Sequence, residues 1–116
     1  MLTVHHINAV LLIAACVIAG VMALVARRRR AGRGVSNAIA LAQTLVVAQV
    51  LFGLILLAEH KRAADRLHYA YGTFALLALF APFMYAPEDP RGRLLWFGIA
   101  ALLAGALGVR AYMTAT

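Results

Sequence analysis

INAVLLIAACVIAGVMALVARRRR, residues 7–30, decides the fold class. Ile7 to Ala26 is uncharged for 20 residues, and Arg27 to Arg30 follow at once. A helix needs about 20 apolar residues to cross a hydrocarbon core of roughly 30 Å. A secretory signal would carry its positive charge ahead of the apolar stretch. Met1 to Ile7 holds no Lys or Arg, so the segment is expected to stay as a membrane helix.

Outward from this stretch the pattern recurs three times. Val35 to Ala58 is uncharged for 24 residues, Leu67 to Pro87 for 21 and Leu94 to Val109 for 16, with Ala111 to Thr116 continuing past Arg110. The predicted spans are about 5–26, 35–58, 67–87 and 94–115. Arg110 can reach the headgroups by extending its apolar stem. Composition agrees: 65% of the chain is hydrophobic and 13% charged, against about 45–50% and about 25% in soluble domains. In lipid every backbone N–H and C=O must pair internally, and the runs lack β-barrel alternation, so they are helices. Short connections make neighbours antiparallel. The expected fold is therefore all-α: one integral-membrane, up-down four-helix bundle over residues 1–116.

Basic residues set the expected orientation. The first loop, 27–34, holds five arginines, and the third, 88–93, holds Arg91 and Arg93, seven in all. Lys61, Arg62, Arg66 and Arg110 make four on the other side. Positive charge favours the cytoplasm, so both termini face outward, N-out/C-out, in a multi-pass cell-membrane protein of prokaryotic plasma-membrane type. The net charge of +7 resides in these flanks. It implies membrane lipid as a partner and no nucleic acid. Cys16 stands alone, so no internal disulfide can form, and it reads as a small core residue.

All four histidines fall at the outer end in this topology: His5 and His6 open helix one, His60 ends helix two, and His68 opens helix three. Helices one and three are diagonal in an up-down bundle, so a His from each can face the other across it. Two such imidazoles can hold a haem iron from both sides, and Lys61, Arg62 and Arg66 can meet the propionates. Small residues one turn below share a face with each ligand, Ala9 with His5 and Gly72 with His68. His5 is preferred to His6, because the face of His6 carries Val10, Ile13 and Val17. His60 sits beside Lys61 and Arg62 and is read as solvated. Copper or zinc also suits imidazole, though no Cys, Met or carboxylate motif accompanies the histidines.

Helix one opens VHHINAVLL, residues 4–12, and residues 49–72 read QVLFGLILLAEHKRAADRLHYAYG. Over about residues 4–80 this resembles one half of the haem A synthase family. Such a half is a four-helix bundle with His-Arg near the outer start of one helix. The next helix carries Gln-x-x-x-Gly, and a second His opens the one after, the two His flanking a haem. Gln49 and Gly53 match that motif, His68 follows Gln49 by 19 residues, and His5-His6 occupies the His-Arg slot. The chain departs from the family in having one bundle, His6 in place of Arg, no acidic residue before His5 and no cysteine pair in an outer loop. The resemblance implies haem b held by His68 and His5, with Gln49, Gly53 and Gly72 around it. It does not imply oxidation of a haem methyl group.

Other polar residues have plainer readings. Gln43 and Gln49 are six residues apart, on nearly opposite helix faces, so Gln43 reads as interhelical glue. Tyr69, Tyr71, Tyr85, Trp96 and Tyr112 read as interfacial belt residues. Gly98, Ala101 and Gly105 form a small-residue stripe for packing inside the bundle or against another protein. The expected function is a small b-type cytochrome or haem-holding subunit rather than an enzyme, engaged with other membrane subunits or its own copies. The alternative is a cofactor-free accessory subunit of a larger, respiratory-type membrane complex.

Overall fold

The computed structural model describes residues 2–29 and 34–115. Arg30 and Arg33, which count toward the orientation, lie outside the described residues. The chain forms four helices: α1 Leu2–Arg29, α2 Val35–Ala58, α3 Leu67–Tyr85 and α4 Pro90–Thr114. No strand occurs among the described residues. All four helices are long and apolar enough to span a membrane, and they pack as an antiparallel bundle. Ile7, Leu11, Ile18, Phe74, Leu77 and Phe83 are exposed on its flanks, as lipid-facing residues are.

Three boundaries differ from the sequence reading, each for a local reason. Helix α1 begins at Leu2 and runs to Arg29, beyond the predicted 5–26; the apolar run fixes where a helix meets lipid, not where it stops. Helix α3 ends at Tyr85 rather than Pro87, because Ala86 takes an extended backbone (φ −66°, ψ 140°), as a residue before proline does. Helix α4 begins at Pro90 rather than Leu94. Asp89 caps it by accepting from the Gly92 N–H at 3.0 Å, and Pro90 occupies the first helical position, where no N–H is needed. Arg91 and Arg93 thus lie in the first turn of α4.

The end of α2 is set by His60, which adopts a left-handed backbone (φ 64°). The Lys61 N–H then donates to the Leu56 carbonyl at 2.9 Å and the His60 N–H to Leu57 at 3.0 Å. This pair of bonds is a Schellman closure of the helix.

Around the bundle the order is α1, α4, α3, α2, so α1 and α3 are diagonal. The α1–α4 contact is the closest, and glycines make it so. A Cβ on Gly20 would lie 2.6 Å from Leu102 Cγ, and one on Gly105 would lie 3.3 Å from the Cβ of Cys16. The stripe of Gly98, Ala101 and Gly105 is therefore buried against α1, and Cys16 is fully enclosed there. The stripe is not available as a face for another protein.

Helices α2 and α3 touch sparsely. On the arginine side of mid-span Gln43 joins them, its Nε2 donating to the Leu79 carbonyl at 3.2 Å. Pro82 lies one turn further along α3 and supplies no N–H; the carbonyl it leaves without a helical donor is that of Ala78, so the Gln43 bond to Leu79 is an added interhelical tie. Toward the histidine end the two helices part, and a cleft opens.

Candidate functional site

The cleft encloses about 620 Å³ at the histidine end, within the size range of small-molecule sites. Its walls include Leu12, Val46, Leu56 and Ala75, and Lys61 and Arg62 stand at its mouth. Polar side chains line it from all four helices, among them His5, His6, Gln49, His68, Tyr69 and Tyr112.

His5 lies in the second turn of α1 and is 7% exposed. Its Nε2 is 3.4 Å from Gln49 Nε2 on α2. Its Nδ1 is buried and has no hydrogen-bond partner among the described residues. Asn8, one turn further along α1, donates from Nδ2 to the Leu45 carbonyl at 3.0 Å and to Gln49 Oε1 at 2.8 Å. An amide chain thus crosses from α1 to α2 and returns to His5.

His68 lies in the first turn of α3. Its Nδ1 is 2.6 Å from the Ala111 carbonyl on α4. A carbonyl only accepts, so Nδ1 carries the hydrogen and Nε2 keeps its lone pair. Ala111 has an open carbonyl because α4 is ending: the Ala115 N–H turns to Tyr112 instead. Thr114 Oγ1 also donates to Ala111 at 3.1 Å. The loop ahead of His68 is tied to the same turn, with Asp65 N–H donating to Thr114 at 3.2 Å.

The His5 and His68 rings meet with centroids 6.2 Å apart and planes at 71°. Gly53 faces His5, and a Cβ there would stand 3.5 Å from His5 Cε1, an ordinary contact distance. A Cβ on Gly72 would meet nothing within 4 Å, so α3 leaves open space one turn below His68.

His6 also borders the cleft, but it is partly exposed and its ring tilts toward Tyr112, centroids 5.9 Å apart. His60 is exposed and serves as the stop of α2. Gln43 and Gln49 do take different faces, one bonding to α3 and the other to α1. Tyr69 is anchored by accepting from the Ala63 N–H at 2.9 Å. Arg110 lies over the Tyr71 ring, 5.5 Å from its centroid. Glu59 pairs with Lys61 at 3.9 Å, and Asp65 accepts from the Leu67 N–H at 2.9 Å. No group of three or more His, Cys, Asp or Glu is arranged to hold a metal ion among the described residues.

Asn8 and the Ala111 carbonyl are the two members of the site that the sequence reading missed. Asn8 had a signal, being the one amide in the first apolar run, three residues after His5. A backbone carbonyl has none.

No family model matches the chain, and no curated protein or solved structure matches it.

Proposed function

We propose that the chain is a small membrane b-type cytochrome or haem-holding subunit, with haem b between His5 and His68 near the outer face. The observation that carries this is the 6.2 Å between the two ring centroids. Two metal–imidazole bonds of about 2 Å each, with about 1 Å from each ring centre to its nitrogen, sum to roughly 6 Å. The pair is spaced for one metal atom.

The surroundings favour a macrocycle over a bare ion. Copper or zinc would find two imidazoles and no carboxylate or thiolate beside them. A flat apolar ring suits the Leu12, Val46 and Leu56 walls, and it has room where Gly72 opens on free space. Lys61 and Arg62 at the mouth suit two propionates. Gln49 and Gly53 border His5, and His6 is the alternative axial ligand should α1 rotate. When bound, haem would supply one-electron chemistry. Held by both imidazoles, the iron would keep no open position, which favours electron transfer or haem handling over O₂ chemistry.

The same reading places the protein in a cell membrane of prokaryotic plasma-membrane type, N-out/C-out, working with other membrane subunits or its own copies. Protein purified in detergent is expected to show a sharp Soret band and a protohaem pyridine haemochrome near one per chain. A colourless protein that stays colourless when haem is added overturns the proposal and leaves the cofactor-free accessory subunit.

A further inference from the structure

We propose that Asn8 is a positioning residue that, through Gln49, keeps Nε2 of His5 unprotonated, the form in which that nitrogen can bind a metal. The inference builds on the haem-ligand reading of His5, but its first measurement is made without haem.

The argument follows hydrogen-bond polarity from a fixed end. The Leu45 carbonyl can only accept, and an Asn8 amide atom lies 3.0 Å from it, so that atom is the Asn8 nitrogen. The same nitrogen is 2.8 Å from the Gln49 amide, so Gln49 presents its oxygen there. The other Gln49 atom, 3.4 Å from His5 Nε2, is therefore NH₂. Two donors do not face each other, so Nε2 holds a lone pair and Nδ1 carries the hydrogen. Free imidazole side chains prefer the opposite tautomer, with hydrogen on Nε2, so the amide chain reverses a default.

His68 reaches the same form by an independent route, since its Nδ1 donates to Ala111. Both rings thus offer an Nε2 lone pair in one cleft. A metal binds neutral imidazole through such a lone pair. In His68 the far-nitrogen bond to Ala111 fixes it; in His5 the far Nδ1 has no partner among the described residues, and the donor facing Nε2 sets the tautomer instead. At 3.4 Å the Gln49–His5 bond is near the outer limit of a hydrogen bond. It holds the lone pair in place and yields readily to a metal. Asn8 is only 8% exposed, and an amide buried in a membrane span is kept at a cost.

The test uses the full chain in detergent with ¹⁵N-labelled histidine. In ligand-free wild type the His5 ring shifts should report hydrogen on Nδ1. In Asn8→Leu the Gln49 amide is released, and His5 should move to the Nε2–H form while His68 stays unchanged. Should Asn8→Leu fail to fold, Gln49→Glu keeps the Asn8 bonds, places an acceptor against Nε2, and should move His5 to the Nε2–H form in the same way. A wild-type His5 with hydrogen on Nε2 overturns the proposal, as does a folded Asn8→Leu with unaltered His5 shifts. A wild type that binds no haem defeats the ligand reading instead, and the tautomer measurement tells the two failures apart.

Discussion

His5 and His68 sit on helices that are diagonal in the bundle, yet their ring centroids lie 6.2 Å apart. Neither helix supports its own histidine. His5 is held by Gln49 of α2, and His68 by the Ala111 carbonyl of α4. All four helices therefore contribute to one pair of rings, and the two helices without these histidines hold the rings of the two that carry them.

That division of labour predicts which histidines matter. His68→Ala and His5→Ala should each abolish the six-coordinate low-spin optical signature. His6→Ala should keep it, because His6 turns toward Tyr112 and is partly exposed. Haem content and spectra of the three purified variants decide the assignment. Loss of the low-spin signal in His6→Ala but not in His5→Ala would reverse it.

His60 has a different use. It holds a left-handed backbone at φ 64° so that α2 can close. In a non-glycine residue that conformation costs about 1–2 kcal/mol. His60→Gly should relieve it, raising the detergent melting temperature while leaving haem content as in wild type. A lower melting temperature, or lost haem, would show that the imidazole itself contributes.

The four spans were legible because charge is absent from each run and concentrated between runs. Their ends were less so: Asp89-Pro90 starts α4 four residues before the apolar run does, since capping chemistry sets helix ends and hydropathy does not. In the site, His5 and His68 could be proposed from their place at the starts of diagonal helices, and Gln49 and Gly53 from the resemblance to a haem-holding half-bundle. Asn8 could not be given a role, because its meaning depends on the register of α1 against α2. The Ala111 carbonyl was invisible, since it is available only where α4 terminates beside α3. The stripe on α4 left two readings open until α1 was seen to cover it.

Orientation is open to direct measurement. The arginine-rich end should lie in the cytoplasm, given seven basic residues there against four at the histidine end. Single cysteines introduced at Ser36 and Ala64, in a Cys16→Ala background, should label differently in intact cells. Ala64→Cys should react with a membrane-impermeant maleimide, and Ser36→Cys should react only after lysis. The opposite pattern would place the cleft at the inner face.

The last prediction separates a ligand slot from a packing fault. Gly72 borders the cleft, and a Cβ built there meets nothing within 4 Å. A packing glycine would show close neighbours, as Gly20 does, where a Cβ would come 2.6 Å from Leu102. Gly72→Leu should therefore fit the ligand-free bundle without clash, and the better helix former should add about 1 kcal/mol to α3. Its side chain would project into the space where the macrocycle is proposed to lie. Haem content should fall several-fold while the melting temperature of the ligand-free protein holds or rises. Gly72→Ala, smaller by three carbons, should retain most of the haem. Unchanged haem content in Gly72→Leu would mean that the space beside α3 does not receive the ring, whatever ligates the iron.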